Sequence, residues 1–233
     1  MPPVRLGPVI GLTIHIVLLA LLAVTVGLDG VGWGIGILYG LIMCGILVRA
    51  LNVSAVTDFG PANWVTLTRA VLVGCVTALI ADSFARPAPV AVLVTIVTLA
   101  LVLDMVDGQV ARRTGTVSEF GARFDMEVDA FLILALSVYV AGSLGWWVLA
   151  IGAMRYAFVA ARWVLPWMRG TAPPRFWCKI VAAVQGIVLV VAAAEILPRP
   201  LTVIAVSGAL ILLIESFGRE IVWLWRQAPS GDS

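Results

Sequence analysis

Eight apolar runs limit what this chain can become. They cover roughly residues 7–28, 31–50, 61–82, 87–110, 119–141, 144–165, 177–197 and 200–224. A bilayer core of ~30 Å is crossed by a helix of about 20 apolar residues, and each run is close to that length. The breaks between runs carry turn chemistry: Asp29-Gly30, Gly60-Pro61, Arg86-Pro87, Gly142, Pro173-Pro174 and Pro198-Arg199-Pro200. Composition agrees, with 62% hydrophobic and 12% charged residues and a mean hydropathy of +1.09; an ordinary soluble domain is about 25% charged. The chain is therefore expected to be an all-α, polytopic transmembrane helical bundle of about eight helices. No nucleic-acid partner is expected.

The first run is longer than the ~7–15-residue apolar core of a signal peptide and lacks a convincing A-x-A cleavage site, so it is expected to stay as a transmembrane helix. The second run carries Gly30, Gly32, Gly34, Gly36, Gly40 and Gly45. These fit either a close-packing helix face or a weakly helical hairpin. Residues 51–60 are less apolar and are expected to form an interfacial segment, and the tail from Ala228 to Ser233 to be disordered. Cys44, Cys75 and Cys178 stand singly, without metal spacing, and read as packing residues. One histidine, His15, cannot make a zinc site; packing or an interhelical hydrogen bond is expected of it.

Basic residues set the orientation. With the amino terminus in the cytoplasm, twelve of the fifteen lysines and arginines fall at or near cytoplasmic helix ends, Arg69 and Arg112 among them. Only Arg86 and Arg199 fall outside, and Arg155 sits within a run. Both termini are thus expected in the cytoplasm, in a multi-pass protein of the cell membrane.

Between the fourth and fifth runs the chain reads DMVDGQVARRTGTVSEFGARFDMEVD, residues 104–129. Ionisable groups at a membrane core mark a functional site by default. Asp104 and Asp107 are spaced i,i+3; Asp125 and Asp129 are spaced i,i+4, so each pair shares a helix face. Gly108 and Ala111 continue the first face, and Gly121 precedes the second by one turn. Folded together about a short loop near 114–117, the two helices give a pocket of four carboxylates over a floor of small residues. Four carboxylates do not stay ionised together in a low-dielectric site without cations. With no His or Cys ligands at hand, Mg²⁺ or Mn²⁺ are the natural neutralisers, with Ca²⁺ possible. Two such ions about 3.5–4 Å apart suit displacement at phosphorus, and Arg112 adds a positive charge for a phosphate. Pairing with Arg112, Arg113 and Arg123 alone would explain charge at a helix end, but not aspartates at these spacings with glycine on the same faces. Glu127 lies off the Asp125/Asp129 face and reads as a salt-bridge or supporting residue, and Arg113 as a surface anchor.

Asp104-x2-Asp107-Gly108-x2-Ala111-Arg112-x8-Gly121-x3-Asp125-x3-Asp129 resembles the signature of the CDP-alcohol phosphotransferases, with all eight fixed positions present. The likeness extends more loosely from about Pro61 to Arg226, and Asn63-x2-Thr66-x2-Arg69 resembles the start of that family's first core helix. The implied organisation is a six-helix catalytic domain over residues 61–226, preceded by two additional apolar segments in 1–60 and followed by the tail 227–233. The resemblance implies that a CDP-linked lipid donor is attacked by an alcohol, with release of CMP. Asp104, Asp107 and Asp125 would be the principal metal ligands. Asp129 would be the general base and a further metal contact. Asn63, Thr66, Gly108, Ala111, Arg112 and Gly121 would form the CDP site. The donor's tails would stay among membrane lipids while its nucleotide reaches a cytoplasmic pocket, and a homodimer is the assembly allowed for.

An acceptor that is itself phosphorylated, such as inositol phosphate or glycerol 3-phosphate, needs a second cationic pocket. Arg155, Arg162, Arg175 and Lys179 are the candidates. Lys179-x5-Gln185 partly resembles a stretch of glycerophosphate-using members, but Cys178 and Ala182 replace its glycine and threonine. Glu215 and Arg219 are expected to pair within the last helix. A different class, a divalent-cation transporter or channel, would need polar residues through other helices near the midplane. Here the acids gather at one end.

Overall fold

The computed structural model describes residues 6–54, 59–114, 118–170 and 176–227. Eight α-helices follow one another: α1 (Leu6–Val26), α2 (Gly30–Ser54), α3 (Pro61–Asp82), α4 (Val90–Thr114), α5 (Glu119–Leu144), α6 (Leu149–Val164), α7 (Phe176–Ala193) and α8 (Arg199–Gln227). Short 3-10 turns, Trp146–Val148 and Pro166–Arg169, flank α6. No strand occurs among the described residues, and the protein is of the all-α, polytopic class. Among the described residues, six helical segments are long and apolar enough to cross a membrane, and Val90–Val106 and Trp177–Ala193 are shorter apolar stretches of α4 and α7. The fourth run forms a single helix of 25 residues, Val90–Thr114, and the seventh stops at Ala193, short of the expected 197, where the chain turns at Glu195, with φ 54°. Of the interfacial segment expected at 51–60, residues 51–54 instead extend α2, while 55–58 and the tail 228–233 lie outside the described residues.

The chain divides into two compact units, Met1–Ala135 and Leu136–Ser233, and α5 contributes to both. In the first unit α3 is the hub, packed by α1, α2 and α4. A helix apolar all round belongs inside a bundle; Ala70, Val73, Val76, Ala78 and Leu79 on α3 are fully buried. Gly32, Gly36 and Gly40 form a close-packing face on the continuous helix α2, while Gly30, Gly34 and Gly45 face open space. A Cβ on Gly40 would stand 2.7 Å from the His15 ring, and one on Gly74 would run into His15 and Tyr39. His15 itself donates from Nε2 to the Gly36 carbonyl at 2.9 Å, the interhelical bond expected of it. Tyr39 reaches from α2 to α3, its hydroxyl donating to the Ala70 carbonyl at 2.8 Å. Leucine at Gly74 is therefore expected to lower the melting temperature of the purified protein, since overpacking costs about 1–3 kcal/mol. An unchanged melting temperature would mean that α1 and α2 do not pack on α3 in this way.

At the far end of α3, Asp82 is almost fully buried. It accepts from the Asp29 amide at 2.9 Å and pairs with Arg86 one turn later. The α1–α2 turn is thereby tied to the end of α3. Gly27 closes α1 at φ 72°, a conformation that favours glycine.

In the second unit α7 packs on α8. Buried Gln185 donates to the Ala209 carbonyl at 2.8 Å. Trp177 Nε1 donates to Glu215 at 3.0 Å, and Glu215 forms the expected pair with Arg219. Phe158 of α6 meets Phe217 of α8 edge-on, ring centroids 5.2 Å apart.

Candidate active site

The site is built where α3 begins, α4 approaches its end and α5 starts. Ser118 opens α5 as its cap, its Oγ accepting from the Gly121 amide at 3.0 Å, which satisfies one of the orphan amides of a helix start. Asp125 and Asp129 follow on the next two turns. Gly121 sits against α3, where a Cβ would stand 2.6 Å from Asn63 Oδ1. Two of the residues assigned to CDP are therefore neighbours, and the small residue is what lets the helices approach. Asn63, Thr66 and Arg69 repeat at i, i+3 and i+6 on α3, and all three are buried.

The structure brings Asp104, Asp125 and Asp129 together. One oxygen from each lies within 4.8 Å of the others. Their side chains keep 39%, 35% and 38% exposure, so the cluster is open on one side. Arg69, with 0% exposure, enters from below. Its Nη2 stands 2.9 Å from Asp104 Oδ1 and also pairs with Asp129, while Nη1 pairs with Asp125. A charge this deep in an apolar bundle persists only when paired, and the three carboxylates supply the partners.

The sequence counts Arg69 among the basic residues at or near helix ends; the structure adds that it lies buried against the acidic cluster. Its place in the chain holds the signal: an arginine more than two turns inside an apolar helix, in phase with Asn63 and Thr66.

Asp107, Gly108, Ala111 and Arg112 lie on the last turns of α4, and their side chains are outside the described residues. In the second unit, Arg155 is half-buried on α6. Arg162 donates to the Gly170 carbonyl at 3.1 Å, bracing the turn after α6. Lys179 is exposed on α7, and Arg175 is outside the described residues.

The donor set fits a hard divalent cation: three carboxylate oxygens, mutually close and reachable from outside. With all three ionised, Arg69 balances one charge, leaving two for a cation to offset. The cluster can hold a metal ion, and a carboxylate beside it can accept a proton.

A family model described as CDP-alcohol phosphatidyltransferase matches residues 59–215. No match was found among curated proteins or solved structures. The matched span leaves α1 and α2 outside and takes in the whole acidic stretch, which favours a transferase over a transport path. With the match covering more than half of a chain whose apolar helices mark it as a multi-pass membrane protein, the protein belongs to the CDP-alcohol phosphatidyltransferase family, whose enzymes move a phosphatidyl group from a CDP-alcohol to an alcohol acceptor.

Proposed function

We propose that this protein is a Mg²⁺- or Mn²⁺-dependent phosphatidyltransferase of phospholipid biosynthesis, taking CDP-diacylglycerol as donor and releasing CMP. The convergence of Asp104, Asp125 and Asp129 carries the reading, and the family's enzymes are generally metal-dependent. Residues 61–226 form the catalytic domain. Asp104, Asp107 and Asp125 hold the metal, as two ions, with Asp129 as a further contact. When bound, the metal offsets the charge of the pyrophosphate and of the departing CMP. Asn63, Thr66, Gly108, Ala111, Arg112 and Gly121 receive the cytidine diphosphate, the small residues letting it approach the backbone. Asp129 takes the proton of the acceptor hydroxyl as that oxygen attacks the lipid-bearing phosphorus. The bond from that phosphorus to the bridging oxygen breaks, and CMP leaves with the electron pair.

The site faces the cytoplasm, with both termini on that side, and the donor's acyl chains remain in the membrane. The acceptor is a small alcohol or a polyol phosphate such as inositol phosphate or glycerol 3-phosphate, held through Arg155, Arg162, Arg175 and Lys179. Arg155 has the best claim, because an ionisable residue within an apolar helix marks a functional site by default. A homodimer is the proposed assembly.

The test is to incubate purified protein with CDP-diacylglycerol, Mg²⁺ and a panel of acceptors, measuring CMP and lipid product. CMP release is expected with one acceptor class. EDTA should stop it and added Mg²⁺ or Mn²⁺ restore it. CMP release that persists in excess EDTA would overturn the metal dependence. No release with any acceptor, alongside Mg²⁺ flux in proteoliposomes, would favour the transport reading.

A further inference from the structure

We propose that Arg69 is a resident counter-cation of the acidic cluster, one that holds the three aspartates together and sets how tightly the site binds divalent ions. The inference rests on the metal-site reading above and adds its regulation.

Asp104 comes from α4, and Asp125 and Asp129 from α5. Mutually repelling carboxylates on two helices push those helices apart in a low-dielectric setting. The charge that opposes this comes from α3, the most buried helix of its unit, through a side chain with 0% exposure. A guanidinium stays charged at every physiological pH and offers a fork of donors, and here its two terminal nitrogens contact all three carboxylates. A divalent ion uses the same carboxylates. Two cations drawn to one set of oxygens oppose each other, and the coupling is reciprocal.

Removing the charge of Arg69 therefore has two effects of opposite sign. Without divalent ions the protein is destabilised, because the repulsion loses the counter-charge supplied from α3. With them, binding tightens, because the ion no longer competes with a guanidinium. An arginine that merely fills space would give the first effect without the second. One that aids metal binding would give looser binding on removal.

The experiment compares the full-length parent with Arg69→Gln and Arg69→Lys, purified in Mn²⁺ and then exchanged. Thermal unfolding is followed in EDTA and in saturating Mn²⁺, and Mn²⁺ binding by the electron paramagnetic resonance signal of the free ion. Arg69→Gln is expected to melt lower than the parent in EDTA, to gain more on Mn²⁺ addition, and to bind Mn²⁺ roughly tenfold more tightly. Arg69→Lys, a point charge in place of a fork, should fall between the two. Mn²⁺ binding unchanged or weakened in Arg69→Gln overturns the proposal. If that variant does not fold, Arg69→Lys carries the test, and a dissociation constant at or above the parent's overturns it. A parent that binds no Mn²⁺ sinks the metal-site reading and this inference together, whereas a binding parent with an unresponsive variant sinks only the inference.

Discussion

Asp125→Asn is expected to abolish CMP release. The substitution is nearly isosteric, so it tests charge rather than shape. Asp125 contributes one of the three oxygens that lie within 4.8 Å of one another and is held by Arg69 Nη1. An amide there removes one negative charge and presents a weaker oxygen donor to a hard cation. Beside the fixed Arg69, it also leaves a cluster with one net negative charge where the parent has two. Both changes weaken metal binding, and a site that cannot stabilise charge on the leaving CMP loses at least about a hundredfold in turnover. The fold should tolerate the change, because Arg69 keeps Asp104 and Asp129 as partners. The measurement is CMP release per mole of folded protein at saturating Mg²⁺, with the melting temperature as control. Turnover near the parent's level would remove Asp125 from the metal ligands.

Asp129→Asn is expected to separate binding from chemistry. Asp129 lies one turn beyond Asp125 on the same face, within reach of the same arginine. As the proposed proton acceptor it would act in the transition state, so its loss should lower kcat by about 10²–10⁴-fold. The KM for CDP-diacylglycerol should change little. Donor titration followed by single-turnover CMP release distinguishes the cases. A variant that fails to bind donor yet reacts normally once it is bound would assign Asp129 to binding instead.

Much of this arrangement is legible in the residues. Helix positions follow from the lengths of the apolar runs and from Gly and Pro at their ends, and the structure departs from them mainly at edges. The sixth run opens with a 3-10 turn because Gly145 stands at φ 107° before Trp146–Val148. The aspartate faces could be read because spacings of three and four residues on a helix fix direction. The phase of Arg69 with Asn63 and Thr66 gave its helix face but not its partners, because its contacts bridge positions as far as 60 residues apart. A basic residue near a helix end has an adequate local explanation, and only the packing of α3 against α4 and α5 turns it inward. The glycines of α2 suggested a close approach but not which of them make it or against what: Gly32, Gly36 and Gly40 meet His15 and Leu19 of α1 and Ala78 of α3, and the other three meet nothing. The basic residues assigned to the acceptor remain the least legible part, since Arg162 is already engaged with the backbone at Gly170.

The tie at Asp82 gives the amino-terminal hairpin a role in setting length. Asp82 and Arg69 are thirteen residues apart on one helix, or about 20 Å at 1.5 Å per residue. Slippage of α3 along its axis by a single residue would carry the guanidinium about 1.5 Å from its partners, a large fraction of a hydrogen-bond length. The Asp29 amide and Arg86 anchor one end of this strut. The α1–α2 turn, although outside the matched family span, thus works as a gauge block for a cluster at the opposite end of α3.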